Sequence, residues 1–212
     1  MSRRFAELAF TPLVKEQQER HGSRRQYARM EEMGEAGDRL TEFEREFIAG
    51  RDGFYKASTG ETGWPYIQYR GGAQGFLHVL DDQTLGFADL RGNKQYISVG
   101  NLEHDDRVAL FFMDYAHQMR LKILGRATVH ENDAEAAELL AKLRVPGEKT
   151  PAERAMMIHV EAFDWNCPQH ITPRYTQEEL VATLEPVRKR MEALELENAR
   201  LRGLVEAATT RS

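Results

Sequence analysis

The sequence predicts a mostly β domain with added helices, an α+β arrangement built on a small, mostly antiparallel barrel of six strands. Three observations predict it. From Gly53 onward the apolar residues switch from helical spacing to short alternating runs, Gly, Asn and Asp punctuate those runs, and few helical segments interrupt them. Closure into a barrel removes the edge strands that such a meander would otherwise expose.

The first fifty residues read as helices. Thr11 caps a helix that Pro12 opens and Gly22 stops, and Ser23 is placed to cap RRQYARMEEM. Thr41 with Glu44 three residues later forms a capping box for TEFEREFIAG, which Gly50 ends. Strand-like runs follow in order: GFYKAST, WPYIQYR, GFLHVLD and TLGFADL, separated by the turn residues GETG and DQ. GNKQYISVGNLEHDD reads as a turn and short helix, RVALFFMDY and MRLKILGRATVHE as two long strands, NDAEAAELLAKLR as a crossing helix opened by Asn132 or Asp133, and MMIHVEAFDW as the last strand. The chain thus divides into a helical extension over 1–50, a barrel domain over 51–175 and a helical tail over 176–212.

In the tail, Thr176 and Glu179 form another capping box. Val187, Met191, Leu194, Leu201 and Val205 then recur in alternating steps of four and three, with Asn198 at an a position. Arg190 and Glu195, and likewise Glu197 and Arg202, fall at g and following e positions, where a parallel partner helix finds opposite charges. An amphipathic helix lying on its own barrel fits the same pattern, and Pro186 limits the predicted seam to about three heptads.

Composition excludes several classes of function. A formal net charge of −5 gives no global basic field for a nucleic-acid backbone or an anionic bilayer. The single cysteine, Cys167, rules out an intramolecular disulfide and a multi-cysteine zinc site, and with no basic neighbour in sequence it reads as an inert, partly buried thiol. There is neither a signal peptide nor a run approaching about 18 apolar residues, so a cytoplasmic protein is expected.

The hydrolytic templates are absent. Ser58 and Ser98 lack a G-x-S-x-G elbow, no paired histidines offer a zinc face, and His159 and His170 fit hydrogen-bonded structural roles as readily as proton shuttles. A phosphate template does better. In RGNKQYIS, Arg91, Asn93, Lys94 and Ser98 surround a glycine where a strand hands over to a helix, a setting whose backbone N–H groups suit a phosphate monoester. A solvated charge cluster fits the same residues.

Over most of its length the chain resembles the flavin-nucleotide-binding proteins related to pyridoxamine 5′-phosphate oxidase, which have the FMN-binding split-barrel fold. FTPLVKEQQERHGSR, FIAGRDGFYKAST, WPYIQYRGG, GFLHVLDDQTLGFADLRGNKQYISVGNLEHDDRVALFFMDY, RLKILGRA and VEAFDWNCPQHITPRY carry the resemblance. It implies a homodimer with FMN in two symmetric clefts built by both subunits. Gln68 and Arg70, alternate residues of one strand, would read the polar edge of the ring. Gly71 and Gly72 would let the backbone approach it, with Tyr69 alongside. Asp89 would lie near the ribityl hydroxyls, while Asn93 and Lys94 stand where the oxidases carry a phosphate-binding Arg-Lys pair. With asparagine in place of arginine, Arg91 or Arg120 is the expected second cation. Gln169 and His170 match a Gln-Ser pair supplied by the second subunit, and Trp165 reads either as part of that segment or as core.

The resemblance further implies an FMN-dependent oxidoreductase acting on a small molecule, with NADH or NADPH as a possible electron donor. The oxidases end in an Arg-and-His segment that grips the substrate phosphate. The heptad tail stands there instead, which points away from pyridoxamine phosphate as substrate. A non-catalytic flavin module for storage, sensing or recruitment is the alternative, and haem or deazaflavin is another occupant for the same cleft.

Overall fold

The structure, a computed structural model, describes residues 1–209. Four helices come first: α1 (Arg3–Ala9), α2 (Pro12–Arg20), α3 (Arg24–Met33) and α4 (Glu42–Ala49). The sheet follows as β1 (Gly53–Thr59), β2 (Pro65–Gly71), β3 (His78–Val79), β4 (Thr84–Leu90), β5 (Arg107–Asp114), β6 (Met119–His130) and β7 (Ala152–Trp165). Helix α5 (Ile97–His104) lies between β4 and β5, α6 (Ala134–Lys142) between β6 and β7, and α7 (Gln177–Thr209) ends the described chain. The chain divides into two units, Met1–Ile171 and the segment from Thr172 on.

All strand pairs are antiparallel, and the order is β2-β1-β5-β6-β7-β4-β3. There are seven strands, one for each strand-like run of the sequence and one more than the six-stranded barrel expected, and GFLHVLD supplies only the two-residue β3. Its first residues are consumed by a turn in which the Phe76 N–H donates to the Ala73 carbonyl and Gly75 takes a φ of 77°, and Phe76 and Leu77 then turn into the core.

The sheet is rolled. In a flat sheet β2 and β4, five places apart in the order, would lie about 24 Å from each other. Yet Arg70 Nη1 of β2 stands 3.3 Å from Asp89 Oδ1 of β4, and the rings of Phe54 (β1) and Phe87 (β4) have centroids 5.7 Å apart. Phe54 also stacks on Phe76 and Phe112 at 5.8 and 5.2 Å, so the roll encloses an aromatic centre built from both ends of the sheet. Two register shifts bend the sheet. One lies at Leu124/Gly125, where a Cβ on Gly125 would stand 2.5 Å from the His159 carbonyl oxygen; the other lies at Asp89/Leu90.

The N-terminal helices pack on the same unit. Ser2 caps α1 by accepting from the Phe5 N–H, and its hydroxyl donates to the Phe163 carbonyl of β7 at 2.6 Å. Glu44 both closes the α4 capping box with Thr41 and accepts from Trp165 Nε1 at 2.7 Å. Although burial opposes its charge, the bonds from Thr41 and Trp165 hold its carboxyl below the usual range. Trp165 completes the joint by packing on Phe43 and Phe47, at 5.0 and 4.7 Å, which gives it the core role the sequence left open.

Because one carboxylate satisfies both a helix start and a buried indole, Glu44→Ala should cost about 2–4 kcal/mol, the sum of a lost cap and a lost charge-assisted bond. Urea unfolding monitored by tryptophan fluorescence measures it. A loss under about 1 kcal/mol would mean that the Trp165 contact contributes nothing.

Candidate functional site

On the inner side of the rolled sheet, β2, the end of β4 and the start of α5 surround a cavity of about 220 Å³. Gln68 and Arg70 reach it from β2 because strand alternation puts them on one face, with Tyr66 two residues earlier. Asp89 comes from β4, Asn93 and Lys94 from the turn, and Ser98 from the first turn of α5. Six of the residues singled out in the sequence thus line one space.

The turn earns its shape locally. Asn93 Oδ1 accepts the Gln95 N–H at 3.2 Å, and Lys94 and Tyr96 adopt left-handed φ values of 60° and 53°. Two non-glycine residues in that region make a strained corner held by its surroundings. Tyr96 serves as the N-cap of α5 without a side-chain bond, so the helix start faces the cavity uncapped by any side chain.

Its electrostatics centre on Asp89. Arg70 reaches one carboxylate oxygen at 3.3 Å and Arg154 of β7, the cross-strand partner of Asp89, approaches the other at 3.7 Å. Arg154 is further fixed by Glu131 and Glu153, each at 3.0 Å, and its guanidinium lies 5.0 Å from the centre of the Tyr96 ring. Ser98 Oγ donates to Gln68 Oε1 at 2.9 Å, joining α5 to β2.

Two residues here escaped the sequence reading. Arg154 occupies a polar place in a long strand about sixty residues beyond the turn, and only the β4–β7 pairing brings it in. Lys56 of β1 is fully buried, is the cross-strand partner of Gln68, and its Nζ has no hydrogen-bond partner. Alternation in GFYKAST offered a signal for it, since Lys56 shares its parity with the inward Phe54 and Ser58. Arg70 Nε is likewise buried without a partner. The lining holds the cations Arg70, Lys94 and Arg154 against the carboxylates Asp89 and Glu153, and Lys56 stands behind them. A chain of net charge −5 therefore has a cationic excess here, with donors left over for an anion.

The remaining candidates lie elsewhere. Tyr69 points to the opposite face of β2, where its ring lies 5.4 Å from that of Tyr55. The bareness of Gly71 and Gly72 serves the protein's own side chains, because added Cβ atoms would stand 2.8 Å from the Tyr69 ring and 2.8 Å from Phe76. Arg91 sits outside the lining with its Nε 3.1 Å from Glu153, whereas Arg154 lies in it. Arg120, Gln169 and His170 lie outside this lining, on segments joined to each other where the Asn166 N–H donates to the Arg120 carbonyl and Gln118 Nε2 to that of Ile171. Cys167, expected to be partly buried, is exposed, because the chain leaves the sheet after Trp165. Among the described residues no cluster of His, Cys, Asp or Glu is placed to hold a metal, and no helix is long and apolar enough to cross a membrane.

Against known proteins, the sequence profile of pyridoxamine 5′-phosphate oxidase matches residues 40–164. No curated protein matches the chain. Similar solved structures include a Lactobacillus delbrueckii protein assigned to pyridoxamine 5′-phosphate oxidase, 24% identical, covering 60% of this chain and 94% of its own with a TM-score of 0.47. HupZ of Group A Streptococcus is 20% identical over 64% of this chain and 99% of its own, TM-score 0.46. An FMN-binding protein of Syntrophomonas wolfei is 13% identical over 58% and 83%, TM-score 0.44. Likeness at these scores transfers no chemistry to the present chain.

Burial, reinforced by the Arg70 charge and opposed by Asp89, pushes the Lys56 ammonium down from 10.5 to about 8. Between those values the unfolded chain binds more protons than the folded one, so stability rises with pH across that window, and the cost of the charged form is fully present below it. Lys56→Met removes that cost. The stability of the variant relative to the natural chain should therefore be greatest near pH 7 and narrow by roughly 3 kcal/mol towards pH 10.5. Paired urea titrations at the two pH values measure this, and a margin independent of pH would show that the Lys56 amine titrates in the fold as it does in the unfolded chain, so that burial does not penalise its charge.

Proposed function

The chain belongs to the pyridoxamine 5′-phosphate oxidase family, and on that premise we propose that it is an FMN-binding oxidoreductase, acting as a homodimer on a small molecule other than pyridoxamine phosphate. One observation carries the reading: the cationic excess round a single cavity, with Lys56 Nζ and Arg70 Nε buried and unpartnered beside an uncapped helix start. These groups fit a phosphorylated cofactor with a polar rim. Lys94 and the first N–H groups of α5 would hold its phosphate. Arg70 and the Gln68 amide would face the polar edge of its ring, and Asp89, fixed between two guanidinium groups, would accept hydrogen bonds from its hydroxyls.

FMN, when bound, supplies the electron chemistry itself, which accounts for a site without a nucleophile or triad. The residues orient, neutralise and exclude. Arg70, with Lys56 behind it, would favour negative charge on the ring edge.

The cavity in one chain falls below the roughly 300 Å³ of sites that enclose a small ligand, which supports completion by a second copy. Arg120, Gln169 and His170 are the contribution we assign to that copy, and the rolled sheet is then half of a split-barrel dimer. The outer face of β1 and β2, with Tyr55, Ile67 and Tyr69 exposed, supports the same assembly. The heptad tail, in place of the phosphate-gripping segment that the resemblance implies for the oxidases, supports a substrate other than pyridoxamine phosphate.

The absorption spectrum of the purified protein tests the reading. A flavin spectrum that NADH or NADPH bleaches, and that a particular acceptor restores, is the expected result for an enzyme; a flavin inert to both points to a binding module, and a colourless protein indifferent to added FMN overturns the proposal. Lys94→Ala should weaken FMN retention by about 1–3 kcal/mol, the range of a charge-assisted bond, as read by fluorescence titration. Unchanged affinity would remove Lys94 from the phosphate site.

A further inference from the structure

Helix α7 is uninterrupted from Gln177 to Thr209 even though Pro186 lies inside it. The proline falls at a c position, away from the apolar seam, so the seam extends back past it through Leu184 to Leu180 and runs on to Val205. That is about three and a half heptads, enough for a stable pairing where a shorter stripe would not be. The seam has no cover of its own: Leu184 is 56% exposed, Val187 54% and Leu201 47%.

We propose that α7 pairs with α7 of a second copy of this chain, parallel and in register, as a two-stranded coiled coil. Three features commit the seam to that occupant. Leucine dominates the d positions, the choice that favours two strands. Arg190 and Glu195 at g and e, like Glu197 and Arg202, set opposite charges across a parallel interface, and Arg190, Glu195 and Arg202 have no ion-pair partner among the described residues.

Asn198 decides the direction. Its Nδ2 donates to the Leu194 carbonyl at 3.0 Å, which leaves its side-chain oxygen as an acceptor. In a parallel, in-register pair the a residues of the two copies share a layer, so each Asn198 meets the other and the two amides can satisfy one another. In an antiparallel pair a residues face d residues, and Asn198 would be buried against leucine at the cost of an unpaired amide.

Cysteine linking in the full-length chain tests this. In a Cys167→Ser background, Val187→Cys and Leu201→Cys are compared with Ala193→Cys at an outward c position, by oxidation and non-reducing electrophoresis. The two seam sites are 14 residues apart, about 21 Å along the helix. Parallel, in-register pairing predicts disulfide-linked dimers at both seam sites, at least tenfold above Ala193→Cys. Linking at only one seam site marks an antiparallel or shifted pair. Linking at none, or equally at Ala193→Cys, means the helices do not pair; each of these results overturns the proposal.

Discussion

The contact between Arg70 and Asp89 constrains the molecule more than any other. It joins strands that the hydrogen-bonded order sets five places apart, so it can exist only if the sheet rolls. The aromatic centre of Phe54, Phe76, Phe87 and Phe112 supplies the apolar burial that makes rolling favourable, and the ion pair sets where the two ends meet. The cavity is a consequence, a gap between β2 and the end of β4 that α5 covers with its first turn. The register shift at Asp89/Leu90 lies at the same spot, where the strand must leave the sheet to begin the turn.

Burying this much charge has an unfavourable side. A buried ion pair is weak evidence for stability, and a cation without a partner is worse. Lys56 is in that position, held between β2 and β5 with no hydrogen bond. If folding alone governed the residue, an apolar side chain of similar volume would serve better. Its presence makes sense if the protein maintains a positive potential in a low-dielectric place before any ligand arrives, which is the condition under which fixed charges act most strongly.

Much of the fold was legible because its signals are local. Of the caps at Ser2, Thr11 and Thr41, the last two were read and Ser2 was not, because α1 behind it is only seven residues long, too short for a periodic pattern to stand out. Alternation gave β1, β2, β4, β5 and most of β6 and β7. It overstated β3, since nothing in GFLHVLD announces that its first residues form a turn against the core. The cavity was half legible. Gln68, Arg70, Asp89, Asn93, Lys94 and Ser98 lie within two neighbouring segments, whereas Arg154 depends on long-range pairing. At Gly71 and Gly72 the missing side chains make room for Tyr69 and Phe76, neighbours that the sequence alone does not disclose.

Lys56 and Asn198 obey the same logic in two different places. Each is a polar residue on a face that packing would fill with apolar ones, Lys56 on the inward side of β1 between Phe54 and Ser58, and Asn198 in the seam of α7. Such substitutions reduce stability wherever the polar group lacks a partner, and a sequence selected for stability alone would lose them. Their effect is selective: a buried cation discriminates in favour of anions over neutral occupants, and a buried amide discriminates in favour of its own copy in one register. The positions at which the alternation or the heptad breaks are therefore more informative about binding than the positions at which it holds.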